Sequence, residues 1–193
     1  LVIKRVLITG GPTQVAIDEV RVISNIATGE TAKLLAEEAK KRNIDARLIL
    51  GPLFFDEFLN LVKKEIASKR YDFIIHAAAV SDYQLAQPFN GKIASGKNNL
   101  ILKLKPTPKI VEQIRKWDSN IFLVMFKLET GVSDAVLISR AKNALVKADA
   151  NLVVANRIKP TYKAFILDKD KVYYKADSKK EMARRLFDVI EGF

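Results

Sequence analysis

The chain has 193 residues, 49% of them apolar, ample for the core of one α/β domain spanning residues 1–193. It has no cysteine and a single histidine, His76, which excludes disulfides, thiolate metal centres and histidine-rich zinc sites, and no metal ligands are assigned. The 33 basic and 22 acidic side chains leave a net charge of +11 that attracts anionic partners without specifying them. With no membrane-length apolar run and no signal-peptide pattern, the expected setting is soluble and cytoplasmic, with no membrane partner.

Residues 2–9 read as a buried strand running into Gly10-Gly11-Pro12-Thr13, and no helical pattern begins until about Thr28. A dinucleotide-binding unit opens its glycine turn straight into the helix that holds the pyrophosphate, so residues 12–27 read as an irregular insert with another task. The insert carries Asp18, Arg21, Ser24 and Asn25, polar groups that a connector does not need. A helix over 31–42 and a strand over 46–50 follow, then a helix whose apolar stripe is Phe54, Phe58, Leu61, Val62 and Ile66. A strand over 73–77 leads into a second long loop, 83–97, marked by Pro88, Gly91 and Gly96. Next come a strand over 99–105, a helix after Pro108, a strand over 121–126 and a helix over 133–147. Strands at 151–155 and 164–167, a closing hairpin strand at 172–174, and a helix from Ser178 to about Ile190 complete the chain, with Ser178 and Glu181 as a capping box.

This alternation predicts an α/β fold: a Rossmann-like, mostly parallel sheet with helices on both faces and a C-terminal hairpin. Such sheets bind ligands beyond the carboxyl ends of their strands. Both long loops leave from such ends and are expected to face each other over one cleft.

Within that cleft, Ala77, Ala78 and Ala79 let a ligand approach the backbone, although an alanine run also serves tight strand-to-helix packing. Asp82 can accept from an amino group or a ribose hydroxyl, or simply end a turn. Lys92, between Gly91 and Gly96, can swing over phosphates or lie in solvent. Asn25 can hold a carboxylate or oxyanion and Arg21 can grip a phosphate or carboxylate, while His76 reads as a satisfied core histidine. Between Asn90 and Asp118, seven basic residues, Lys97 among them, face two acids, which suits a polyphosphate, a nucleic-acid backbone or a lysine-protected strand edge. The aromatic residues do not alternate with basic ones as in a base-stacking platform, so nucleic acid is not the expected partner. A nicotinamide enzyme is disfavoured as well, because Gly-x-Gly-x-x-Gly is absent and the second strand ends Leu48-Ile49-Leu50-Gly51 without an acid.

In order, Thr9-Gly10-Gly11-Pro12-Thr13, Ile17-Asp18, Val20-Arg21-Val22-Ile23-Ser24-Asn25, Thr28-Gly29, His76-Ala77-Ala78-Ala79-Val80-Ser81-Asp82-Tyr83, Lys92-Ile93, Thr107-Pro108-Lys109-Ile110-Val111, Phe126-Lys127-Leu128-Glu129-Thr130 and Leu152-Val153-Val154-Ala155-Asn156 resemble the phosphopantothenoylcysteine synthetase family of coenzyme A biosynthesis. The resemblance implies a homodimeric ligase that joins 4′-phosphopantothenate to L-cysteine through an acyl-nucleotidylate, with CTP or ATP as co-substrate, Mg2+ accompanying the triphosphate and pyrophosphate released. It further implies catalytic roles for Asn25, Arg21 and Lys92, Lys92 closing over the phosphates. Nucleotide contacts would come from Gly10, Gly11, Ala77, Ala78, Asp82, Lys92, Pro108, Ile110 and Phe126, with Lys142 and Lys147 reaching the triphosphate. The sequence departs from the family pattern at Ala27, where a hydroxyl is usual, and at Glu30, where bacterial members often place a lysine. Residues 51–58 are also too few for the extra strand most relatives carry there. Family members are often fused behind a flavin-dependent decarboxylase; a start at Leu1 suits a domain cut from such a fusion and a free-standing enzyme equally. The rival reading is a basic nucleotide- or nucleic-acid-binding module without ligase activity.

Overall fold

A computed structural model describes residues 4–96 and 98–193. In chain order it contains β1 (Arg5–Gly10), β2 (Thr13–Ala16), β3 (Val22–Ser24), α1 (Glu30–Lys41), β4 (Asp45–Leu50), β5 (Leu53–Phe54), α2 (Phe55–Ala67), β6 (Phe73–His76), β7 (Tyr83–Leu85) and β8 (Leu104–Pro106). The second half adds α3 (Ile110–Trp117), β9 (Phe122–Leu128), α4 (Asp134–Ala148), β10 (Leu152–Arg157), β11 (Lys163–Leu167), β12 (Val172–Ala176) and α5 (Lys179–Glu191).

The continuous aliphatic runs form the centre of a seven-stranded sheet of order β12-β11-β10-β9-β6-β1-β4. From β10 to β4 the strands are parallel, and β11 and β12 add an antiparallel hairpin, as expected. Val6, Leu7 and Ile8 have no exposed surface because helices cover both faces. One face packs on α1 and α5 through Leu35, Ala39, Leu186 and Phe187. The other packs on α2, α3 and α4 through Phe58, Val62, Ile66, Ile114, Leu137 and Leu145, which recur at helical spacing. Half of the expected capping box is present: Glu181 N–H donates to the N-cap Ser178 Oγ at 3.1 Å, while the Glu181 carboxylate accepts from Asp177 N at 3.2 Å, one residue before the N-cap amide.

After β1 the chain passes through α1 to β4 on one side of β1, then through α2 to β6 on the other, so strand order reverses at the carboxyl ends of β1 and β6. That reversal opens a crevice. Gly10 tightens it: a Cβ there would stand 2.1 Å from the Ala32 Cβ, so only glycine lets α1 begin this close to the strand.

Several expectations are corrected. The insert is not irregular: β2 pairs antiparallel with β3 and parallel with β5 in a three-stranded sheet. Its strands have two to four residues, too short to display a period. The additional strand before α2 therefore exists, and Phe54 belongs to it, half exposed, while Phe55 replaces it on the buried stripe of α2. Residues 99–103 are not a strand; Leu104–Pro106 pairs with Tyr83–Leu85 in a two-stranded ribbon outside the main sheet. Leu100 and Ile101 remain exposed, so burial does not recruit them into a strand. Val2, Ile3 and Lys97 lie outside the described residues. Among the described residues no helix is long and apolar enough to cross a membrane.

Candidate active site

Beyond β6 the small side chains of Ala77, Ala78 and Ala79 leave space on both faces of the sheet. A cavity of about 280 Å³ on the α1 and α5 face is lined by Gly11, residues 26–32, the three alanines, Phe126 and Lys179. A second, of about 160 Å³ on the α2 and α3 face, is floored by His76 and Met125 and walled by Asp82, Pro108 and Ile110. Ala78 and Phe126 line both cavities, which makes one saddle across the sheet edge. An acid–base ion pair belongs to each: Glu30 with Lys179 in the larger and Asp82 with Lys109 in the smaller.

The saddle is framed by buried hydroxyls. Ser81 N–H donates to Thr13 Oγ1 at 2.8 Å, Ser81 Oγ donates to the Thr13 carbonyl at 3.1 Å, and Thr107 Oγ1 donates to the Ser81 carbonyl at 2.6 Å. Three loops, following β1, following β6 and preceding α3, are thereby locked in register. His76 is held at Nδ1 by Thr9 Oγ1 at 2.9 Å, the satisfied core histidine expected, and burial lowers its pKa to about 4, so the ring is neutral near pH 7.

The two long loops do meet. Asp18 is buried, and its carboxylate accepts from Val20 N at 2.9 Å, Arg21 N at 2.8 Å and Ile93 N at 3.0 Å, besides the Arg21 guanidinium. Burial opposes its ionisation, but the Val20 and Ile93 amides and the guanidinium outweigh that and hold the pKa at about 2. Arg21 also donates to the Ile93 carbonyl at 3.2 Å. Asp18 and Arg21 thus fasten the loop that bears Lys92.

Asn25 lines neither cavity itself but is tied to the backbone of Ala79, which lines the larger, and Val80, which lines the smaller. Its Nδ2 donates to the Ala79 and Val80 carbonyls, each at 3.1 Å. Of the residues singled out in the sequence, Gly11, Ala77, Ala78, Asp82, Pro108, Ile110 and Phe126 line one or both cavities. Others stand elsewhere. Gly10 serves the β1 to α1 packing, and the Arg21 guanidinium is spent on Asp18 and Ile93 rather than offered as a free fork. Lys92 is exposed beside the β2–β3 turn and lines neither cavity. Lys142 donates to the Asp170 carbonyl in the β11–β12 turn, which antiparallel pairing places at the amino end of β10, and Lys147 pairs with Glu112 at 2.8 Å. Neither lysine lines the saddle in its own chain. The sequence reading did not single out Thr13, Ser81 and Thr107, nor Lys179; the hydroxyls stand inside the quoted motifs, but nothing local marks them as buried.

An open, doubly wound α/β sheet with a two-lobed cleft at its switch point defines the class. Within it, the chain belongs to the family described as the DNA/pantothenate metabolism flavoprotein C-terminal domain, whose model matches residues 1–193. It is 37% identical over 97% of its length to the coenzyme A biosynthesis bifunctional protein CoaBC of Thermococcus kodakarensis, covering 51% of that protein, and 33% identical over 97% to the CoaBC of Methanocaldococcus jannaschii, covering 50%. The chain therefore spans about half the length of these curated relatives. Its fold matches the crystal structure of the DNA/pantothenate metabolism flavoprotein from Streptococcus pneumoniae with a TM-score of 0.83 at 26% identity, covering 98% of this chain and 99% of that one. The C-terminal domain of a CoaBC protein matches with a TM-score of 0.79 at 27% identity, covering 97% and 94%.

Proposed function

We propose that this chain is a phosphopantothenate–cysteine ligase that activates the pantothenate carboxylate with CTP or ATP. The observation that carries the proposal is the Asn25 carboxamide, at the end of the insert, fixed on the carbonyls of Ala79 and Val80, which line the larger and the smaller lobe respectively. The CoaBC relatives supply the substrate class.

A carboxylate is a poor electrophile and needs a leaving group. Its oxygen attacks the α-phosphorus, a new P–O bond forms, and the α–β bridge breaks with its electron pair leaving on pyrophosphate. The cysteine amine then attacks the acyl carbon; the C–N bond forms, the acyl C–O bond breaks, and the nucleoside monophosphate departs as the amine loses a proton. Base and ribose fit the smaller lobe, with Pro108, Ile110 and Phe126 against the base and Asp82 toward the ribose. The phosphates fit the larger lobe, where the first turn of α1 directs its amides. Mg2+ would accompany the triphosphate and screen the charge on its oxygens. Asn25 orients the acyl group at the junction, releasing the two carbonyls as substrate arrives. Lys92 acts by loop movement, and Lys142 and Lys147 act from a second copy.

The homodimer belongs to the same proposal. Val20, Val22, Ile26, Phe54, Tyr83, Ile101 and Leu104 are exposed, all in or beside the two small sheets, and a two-stranded ribbon is marginal unless its surface is covered.

Incubation with 4′-phosphopantothenate, L-cysteine, Mg2+ and either nucleotide is expected to release pyrophosphate in step with amide formation. Release with neither nucleotide overturns the proposal. Asn25→Asp sharpens the test: the carboxylate repels both the Ala79 and Val80 carbonyls and the substrate, and steady-state turnover is expected to fall on the order of 100-fold. Unchanged turnover removes Asn25 from the chemistry.

A further inference from the structure

We infer that Lys179, brought from the far end of the chain, is the phosphate-binding cation of the larger lobe, and that Glu30 is the counter-ion it exchanges for the phosphates. This rests on the nucleotide reading above. Among the described residues lining that lobe Glu30 and Lys179 are the only charged ones, and they are paired with each other. An entering polyanion meets a wall whose charge sums to zero. It must face the Glu30 carboxylate unless Lys179 turns to it.

Local geometry favours exchange over permanent fastening. Gly29, the N-cap of α1, supplies no side-chain acceptor; the Glu30 amide donates to Thr28 Oγ1 at 3.3 Å, and the amides of Thr31 and Ala32 lack the partner that a serine or aspartate cap would give. Glu30 is more than half exposed and Lys179 retains 28% of its side-chain surface, so the pair is solvated and its members can part at little cost. The same corner holds the Tyr162 hydroxyl, buried without a hydrogen-bond partner, its ionisation disfavoured by burial and then by the nearby charge of Glu30.

The other end of the same helix pair shows what a fastener looks like. Arg42, after α1, reaches Asp188 and Glu191 on α5 at 2.6 Å each, donates to the Arg184 carbonyl at 3.1 Å, and keeps only 18% of its side-chain surface. Leu35, Ala39, Leu186 and Phe187 complete that contact. The α1–α5 docking therefore does not depend on Glu30 and Lys179, and variants there are expected to fold.

The test titrates wild type, Lys179→Met, Glu30→Gln and the double variant with the Mg2+ complexes of CTP and ATP, using calorimetry, and repeats the titration with the monophosphates. Lys179→Met is expected to weaken triphosphate binding roughly tenfold or more, with less than about threefold on the monophosphate, as for loss of one charge-assisted contact. Glu30→Gln is expected to tighten triphosphate binding by roughly twofold to tenfold, by removing a nearby like charge and freeing the lysine. Opposite signs are the signature, since a structural pair broken from either side shifts binding the same way. Same-sign shifts, or no shift beyond about twofold in a wild type that binds, overturn the role of Lys179 and leave the nucleotide reading standing. A wild type that binds neither triphosphate overturns both.

Discussion

Val6, Leu7 and Ile8 in β1 and Thr13, a few residues further on, are equally hidden from solvent, yet by different means. The first three touch apolar side chains on both faces of the sheet. Thr13 is buried because Ser81 satisfies it, and Ser81 in turn is held by Thr107. The main sheet is stabilised by area removed from water, which tolerates approximate neighbours. The rim is stabilised by directed hydrogen bonds, which fix positions to tenths of an ångström and lose them when one partner goes. A site that, as proposed, aligns a carboxylate, a triphosphate and an amine belongs on the second kind of structure, carried by the first.

The largest expected effect tests the sheet alone. Phe187 is fully buried between α5 and the sheet, edge-on to Phe73 at 6.0 Å. Phe187→Ala is expected to cost about 3–5 kcal/mol in urea unfolding. Nucleotide affinity of the remaining folded fraction is expected to stay as in wild type; a parallel loss of affinity breaks the separation between sheet and rim.

His76 stands on the boundary, with its ring on Phe58 and one edge at the floor of the smaller lobe. Its folded pKa of about 4 lies below the ordinary 6.5, so the unfolded chain binds the extra proton first as pH falls. Its contribution to stability is complete above about pH 6.5 and is lost progressively toward pH 4, up to about 3 kcal/mol at the shift given. In His76→Gln the unfolding free energy is expected to lose that slope between these two pH values. A slope identical to wild type shows that another group carries it.

Thr13→Val keeps the shape and removes the hydroxyl. Ser81 N–H then has no acceptor, and the expected loss is about 1–3 kcal/mol. Because the hub sets the spacing of both lobes, the KM for nucleotide is expected to rise beyond what the lost stability explains. A stability loss with unchanged KM means that the hub holds the fold but not the site.

How far such residues could be read from the sequence follows the same division. The parallel strands announce themselves as runs of three or more apolar residues, and Phe58, Val62 and Ile66 mark α2 by their spacing. The rim strands have two to four residues and carry no period, so residues 12–27 read as loop although they form a hairpin. Gly11, Ala77, Ala78, Asp82 and Pro108 were legible because small or turn residues at a strand end imply close approach. Thr13 and Ser81 stand 68 residues apart, and Glu30 and Lys179 149 apart; such pairs form only once the sheet has been wound, and no local pattern encodes them. Lys142 and Lys147 show the converse, a motif position that the winding carries to the far end of the sheet.

The smallest change in global stability, and the most specific in function, is expected from Asp18→Asn. The carboxylate takes N–H groups from Val20, Arg21 and Ile93 together with the Arg21 guanidinium, all donors. An asparagine can keep one oxygen toward Val20 and Arg21 but must turn its own NH2 against Ile93 N–H and the guanidinium, so the loop bearing Lys92 loses its anchor while the main sheet loses nothing. Amide exchange at Ile93 and its neighbours is expected to rise by roughly tenfold or more, with the global midpoint nearly unchanged. Lys92→Gln is the control, since it removes the ammonium and leaves the anchor, and is expected to lower turnover without altering exchange. With a pKa of about 2 against an ordinary 3.8, the wild-type anchor is intact above about pH 4 and released only as pH falls toward 2, so near neutrality the loop opens by breaking these bonds rather than by titration. If Asp18→Asn leaves both exchange and turnover as in wild type, the Asp18 contacts do not govern Lys92, and the loop must be placed by a surface outside this chain.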